Sequence, residues 1–325
     1  MQLCRTIIDA ACEAGADAVK FQSWTRSSLI CEAEFERNSS YSDTKRHFGS
    51  LREMVERYEF TPQQHTEISD YCQKIGIDFM SSVFSRGEVD LVLQVGAPAL
   101  KIASMDVTHL PLLEYVGSKG APIILSTGMA TLGEVEDALA AIRRGGNADV
   151  VLLHCVAVYP TPPELLNLKN ITTLATTFGV PVGFSDHSLG SAAAVGAVAL
   201  GACIIEKHFT INKELDGWDH HMSADPAEMR RLVQEGRFVH SALGSPMRIV
   251  SQAEMEKRLK FRRRAVAARA LPVGTVLKAA DLEFKRPGNG IGPNELGYIV
   301  GRVLQRPLKL DEEIIWSDIG PVGAR

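Results

Sequence analysis

The stretch Pro122–Val156, PIILSTGMATLGEVEDALAAIRRGGNADVVLLHCV, decides the fold. Two short apolar runs, Pro122–Gly128 and Asp149–Val156, read as strands, and Thr131–Arg144 between them carries apolar residues at helical spacing. Thr131 is placed to cap that helix. Strand, helix and strand at this spacing imply parallel strands joined by a crossover helix. Working outward, the same alternation predicts strands at Asp17–Gln22, Asp78–Phe84 and Ala99–Ser104 on one side. On the other side it predicts strands at Pro181–His187 and Cys203–Thr210, then a helix at Pro226–Leu243. Seven strands result, and the chain opens in a helix, Met1–Ala14. A (β/α)8 barrel needs eight. The expectation is therefore an α/β TIM barrel whose first strand lies upstream of Met1. An open doubly wound sheet fits less well, because no G-x-G-x-x-G phosphate turn follows any strand.

The pattern changes after about Lys260. Beyond the Arg-rich Phe261–Arg264 come short β-like runs broken by Pro and Gly, such as AVAARALPVGTVL and YIVGRVLQRPL, with no room for a crossover helix. The expected division is a barrel over residues 1–245, a linker over 246–264 and a small domain over 265–325. No tandem repeat is visible.

Composition narrows the function. Of 325 residues 45% are hydrophobic and 23% charged, as in globular proteins. With 35 basic against 39 acidic residues the net charge is −4, which argues against a nucleic-acid partner. Cys4, Cys12, Cys31, Cys72, Cys155 and Cys203 form no C-x-x-C pair and read as reduced thiols of a cytoplasmic protein. No signal peptide is visible, and no run of about 18 apolar residues exists to span a membrane.

Polar residues gather at the carboxyl ends of the strands, which in a barrel converge on one mouth where catalysis resides. They are Lys20 and Gln22, Ser81 and Ser82, Lys101 and Ser104, Ser126 and Thr127, His154, Ser185–His187 and Glu206–His208. A lysine inside a strand, as Lys101 is, carries a large desolvation cost unless an anion meets it. With Lys20 in the same setting, the pattern suggests an anionic substrate. His187 and His208 end successive strands, and two imidazoles with oxygen ligands suit a divalent metal such as Mn²⁺ or Zn²⁺. Glu206 shares a strand face with His208 and could support or join such a site. His220 and His221, beside Asp219, form a rival cluster that ranks lower. His47, His65, His109 and His240 read as structural.

Nine motifs occur in order: AGADAVKFQ, FMSSVFS, ALKIAS, PIILSTGM, LLHCVAVYPTP, GFSDHSLG, GAVALGACIIEKHFT, DGWDHHMSADP and KRPGNGI. Over nearly its whole length the chain resembles the sialic acid synthase family. That resemblance implies a TIM barrel followed by a small antifreeze-like (SAF, β-clip) domain. It implies condensation of phosphoenolpyruvate with N-acetylmannosamine or a related N-acylated hexosamine, releasing phosphate by C–O cleavage to give a nine-carbon 2-keto acid. It also implies a domain-swapped homodimer in which the small domain of one subunit covers its partner's barrel mouth.

At matching positions the resemblance implies that His187 and His208 hold a divalent metal, Mn²⁺ first, with Mg²⁺ or Co²⁺ as substitutes. Lys20, Ser82, Lys101, Ser104, Ser126 and Ser185 would grip phosphoenolpyruvate. Tyr159 and Asp219 would meet the acceptor sugar, and Arg286 would approach its acyl group from the other subunit. Asp219, Lys101 and Glu206 are the expected catalytic residues. Three departures stand out. The family's A-E-I-G-x-N-H strand motif is absent, its Thr-Pro is Ser82-Val83, and an Asn two before the YPTP tyrosine is Ala157. Other readings are a legionaminic or pseudaminic acid synthase using a 2,4-diacetamido-2,4,6-trideoxyhexose, and an aldolase using Lys101 as a Schiff-base nucleophile. A third is a degenerate sugar-acid binding protein.

Overall fold

A computed structural model describes residues 1–38, 42–43, 46–47, 50–217, 219–286 and 290–322. Trp218 and residues 287–289 of the tail motif lie outside it, as does the side chain of His47. The chain divides into two compact units, Met1–Gly244 and Ser245–Arg325.

The first unit is built on one parallel sheet of seven strands. They are β1 (Ala18–Ser23), β2 (Asp78–Val83), β3 (Leu100–Ile102), β4 (Ile123–Ser126), β5 (Val150–Cys155), β6 (Val182–Asp186) and β7 (Ile205–Lys207). Their order in the sheet is their order in the chain, and every neighbouring pair is parallel. This is the curled sheet of a (β/α)8 TIM-barrel fold, with helices such as Pro62–Ile75, Leu110–Gly117 and Leu132–Arg144 connecting the strands. Thr131 caps Leu132–Arg144 as expected, its hydroxyl accepting from the Glu134 amide while the Glu134 carboxylate accepts from the Thr131 amide.

Strand alternation sorts side chains into two layers. Val19, Phe79, Leu100, Ile102, Ile123, Leu125, Leu152, Val182 and Phe184 point outward and join the helices in one core. The intervening residues face the barrel interior, where space is tight. A Cβ on Gly183 would come within 2.5 Å of the Ile204 carbonyl oxygen and 2.6 Å of Leu153.

The same alternation corrects several expectations about the mouth. Of each adjacent polar pair only one residue faces in. Ser81 faces out and bonds to Ser23, whose hydroxyl also meets the buried His65 on helix Pro62–Ile75. His154 also faces out, its Nε2 bonded to the Leu166 carbonyl at 2.7 Å and its ring stacked on Phe184. His109 caps helix Leu110–Gly117.

The second unit carries two antiparallel pairs, β8 (Arg264–Ala267) with β9 (Leu282–Lys285) and β10 (Arg302–Leu304) with β11 (Ile319–Val322). Before them helix Gln252–Phe261 runs through the segment read as linker, burying none of its residues. Leu271, Leu277, Leu304, Leu308 and Ile314 are among the buried residues of a separate small core. A repeat does exist here. Arg269, Leu271, Leu277, Asp281 and Leu282 recur in role as Arg306, Leu308, Ile314, Asp318 and Ile319. Asp281 accepts from Arg269 and the Lys278 amide, and Asp318 from Arg306 and the Ile315 amide. Only these anchors recur, which is why the sequence shows no tandem repeat.

Candidate active site

Two ammonium groups converge on one carboxylate at the mouth of the sheet. Lys20 on β1 and Lys101 on β3 bring their Nζ atoms to 3.8 and 3.9 Å from the two oxygens of Glu206 on β7. Lys20 also donates to Ser82 Oγ at 3.4 Å. Lys101 is almost fully buried and donates to Ser126 Oγ at 2.7 Å and to the Ile102 carbonyl at 2.9 Å. Burial, assisted by the nearby Lys20, lowers the Lys101 pKa to about 8 against the pull of Glu206. Burial by itself would raise Glu206. The two lysines and the Ser185 hydroxyl, which donates to it at 2.7 Å, overcome this and hold it at about 2. Two cations face one anion, so the cluster keeps a net positive charge.

Hydroxyls surround this charge. Ser82, Ser126 and Ser185 are buried, and Ser104, just past β3, accepts from the Gly128 amide at 3.0 Å. Cys155 lies among them, a contribution that sequence reasoning missed. Its sulfur sits 4.0 Å from His187 Nδ1, and burial, which raises its pKa, is outweighed by His187, Ser104 and Ser185. The sequence carried no signal for it, because Val150–Leu153 are apolar in both phases of β5.

Beside the cluster, His187 and His208 place their rings 5.3 Å apart. His187 Nδ1 bonds to the Val156 carbonyl at 2.8 Å. A carbonyl only accepts, so Nδ1 carries the proton and neutral His187 keeps a lone pair on Nε2. Burial, assisted by His187 and Lys20, lowers His208 to about 4 despite Asp219, whose Oδ2 stands 3.7 Å from His208 Nδ1. Two imidazoles this close form a donor pair that fits a divalent cation. Among the described residues no three His, Cys, Asp or Glu side chains gather as a ligand set, so further ligands would come from substrate or water. Asp219, His220 and His221 do not gather as a ligand set either, among the described residues. Tyr159 lays its ring 4.1 Å from that of His187 and 6.0 Å from that of His208.

Lys20, Ser82, Lys101, Ser104, Ser126, Tyr159, Ser185, His187, Glu206, His208 and Asp219 thus meet at one end of the first unit. Arg286 does not join them within that unit. It is an exposed residue of the second, with its guanidinium 5.6 Å from the Phe261 ring centre.

Comparison with known proteins identifies the family. Residues 7–248 match the NeuB family and residues 262–320 match the SAF domain. The chain belongs to the NeuB family. An uncharacterised protein of Methanocaldococcus jannaschii is 39% identical over 97% of this chain and 89% of that one. The N,N'-diacetyllegionaminic acid synthase of Legionella pneumophila is 38% identical over 98% of this chain and 90% of its own. Among solved structures, the N-acetylneuraminic acid (sialic acid) synthetase of Leptospira borgpetersenii, in complex with citrate, superposes with a TM-score of 0.70. It is 32% identical and covers 79% of this chain and 84% of its own. The second unit of this NeuB-family chain is accordingly a SAF domain, and relatives along its length are sugar-acid synthases.

Proposed function

We propose that this protein condenses phosphoenolpyruvate with an N-acylated hexosamine to a nine-carbon 2-keto sugar acid, releasing phosphate by C–O cleavage. The observation that carries the reading is the pair Lys20 and Lys101 meeting on Glu206, a preorganised positive cluster ringed by serine hydroxyls. Phosphoenolpyruvate, with phosphate and carboxylate on adjacent atoms, matches it. Lys20 and Lys101 hold the phosphate, Ser82, Ser104 and Ser126 donate to its oxygens and to the carboxylate, and Ser185 lies beside them with its proton given to Glu206. Glu206 opposes the lowering of Lys101 by burial and aims both lysines inward. Tyr159 offers the sugar a flat apolar face.

Carbon 3 of the enol attacks the aldehyde carbon of the open-chain sugar, water adds at C2, and the C2–O bond to phosphate then breaks. Asp219, beside His208, is the base that takes the proton from that water. A divalent cation, Mn²⁺ first, held by His187 and His208, would polarise the aldehyde as a Lewis acid. Throughout, the two lysines neutralise the departing phosphate. The Schiff-base alternative is disfavoured because Lys101 faces three acceptors, the Ile102 carbonyl, Ser126 and the Glu206 carboxylate, which suits an ammonium rather than an amine nucleophile. The likeness to the Legionella synthase puts 2,4-diacetamido-2,4,6-trideoxyhexoses beside N-acetylmannosamine as acceptors.

The test incubates the protein with phosphoenolpyruvate, Mn²⁺ and each acceptor separately, following inorganic phosphate. Release with one acceptor, abolished by a chelator and restored by Mn²⁺, is expected. Undiminished turnover in chelator would instead support a lysine Schiff base. Silence with every sugar, alongside calorimetric binding of phosphoenolpyruvate, would support a binding protein.

A further inference from the structure

The last two register pairs of β6 and β7 alternate in direction, and a pair of histidines follows just beyond the strand ends. Ser185 and Glu206 are register partners that meet inside the barrel at 2.7 Å. Asp186 and Lys207 are the next partners and face the opposite way, into the layer between strands and helices. His187 and His208 follow, back on the side of the mouth.

The middle pair has no part in the chemistry above, yet it is a fully formed buried ion pair. Lys207 Nζ lies 2.7 Å from Asp186 Oδ2, with side-chain exposures of 4% and 0%. The ammonium also donates to the Ser188 carbonyl at 2.6 Å. Asp186 Oδ1 accepts from the Ser188 amide at 2.8 Å and the Ser188 hydroxyl at 2.7 Å. Asp186 and Ser188 bracket His187 in the chain, and Lys207 immediately precedes His208. One charge pair therefore grips the backbone on both sides of the first histidine and just before the second.

Burying two charges is costly, and apolar residues of similar size hold such positions at equal or better stability. What apolar side chains cannot supply is direction, which the ion pair and its Ser188 bonds add to the backbone ladder at the two strand ends.

We infer that the Asp186–Lys207 ion pair is a positioning clamp that sets the relation of His187 to His208 and thereby the affinity of the site for a divalent cation. The cation part rests on the function proposed above; the clamp itself does not.

The test compares wild type with K207R, with K207M, and with the double variant D186L/K207M, in which no charge is left unpaired. Each is measured for thermal stability, for Mn²⁺ affinity by titration of the free-ion electron paramagnetic resonance signal, and for the His187 tautomer by nitrogen-15 NMR without metal. K207M is expected to lose stability, because it strands Asp186. The double variant is expected to regain wild-type stability, yet to bind Mn²⁺ at least tenfold more weakly and to lose the single Nδ1-protonated form of His187. K207R should retain both properties. A double variant with wild-type tautomer and wild-type Mn²⁺ affinity would overturn the clamp, as would an affinity that merely follows stability across the set. Should wild type take up no Mn²⁺, the metal reading falls, and the tautomer measurement still decides the clamp.

Discussion

Lys20 Nζ stands 3.8 Å from Glu206 Oε2, although their strands, β1 and β7, are the two edges of the parallel sheet and are not paired with each other. The sheet curls far enough for its first and last strands to build one charged site. Lys101 reaches the same carboxylate from β3, so three strands that are distant in the sheet define the position of an anion.

Removing the buried member of this cluster tests its role. Lys101→Ala should leave the fold intact, because the Glu206 charge retains Lys20 and the Ser185 hydroxyl. Phosphate release should fall by about 10²–10³-fold, as expected when a preorganised electrostatic contact is lost. Circular dichroism and steady-state kinetics check both halves, and near-normal turnover would contradict the assignment.

Phosphoenolpyruvate affinity should depend on pH through Lys101. An anion binds the ammonium, so it favours the protonated form and raises the Lys101 pKa in the complex above the value of about 8 in the free protein. Affinity is therefore full below about pH 8 and falls as pH rises beyond it, approaching about tenfold per pH unit for one proton. Glu206→Gln removes the charge that opposes the lowering of Lys101, so the fall should begin at lower pH. Calorimetric titrations between pH 7 and 9.5 measure this directly.

Gly183 tests the tightness of the barrel interior. A methyl group there would press on the Ile204 carbonyl and on Leu153, and a backbone atom cannot swing aside. Gly183→Ala should lower stability by about 1–3 kcal/mol, the usual cost of overpacking. Urea denaturation would show a lower midpoint with an unchanged slope.

Arg286, on the second unit, is proposed to serve the site of a second copy. If so, Lys101→Ala and Arg286→Ala proteins are each impaired alone, but mixed dimers contain one site with both residues intact. Denaturing and refolding the two together should recover about a quarter of wild-type activity, from random pairing in a two-fold dimer. Recovery of none would place Arg286 at the site of its own chain, and an Arg286→Ala protein unimpaired by itself would place it outside catalysis.

Much of this arrangement was legible in the sequence, because it rests on period. The βαβ unit around Thr131 and the inward lysines Lys20 and Lys101 follow from strand–helix alternation, as does the pairing of His187 with His208 at the ends of successive strands. Phase within a strand was not legible. Ser81 and His154 sit at the right height for the mouth but on the outward side, whereas Cys155, dismissed as one scattered thiol, faces in. Which of two adjacent polar residues points inward depends on where the ladder begins, and that is set by pairing with neighbours. Asp186 and Lys207 illustrate the limit. They are contiguous with site residues in the chain, and only the register reveals that they pair behind the site.

The most direct test of the proposed chemistry follows oxygen rather than rate. The protein would turn over phosphoenolpyruvate and its amino-sugar acceptor in water enriched in oxygen-18, with phosphate and sugar acid analysed by mass spectrometry. Attack of water at C2 with C–O cleavage places the label in the 2-keto acid and leaves the phosphate unlabelled. Label in the phosphate would show attack at phosphorus and contradict the mechanism.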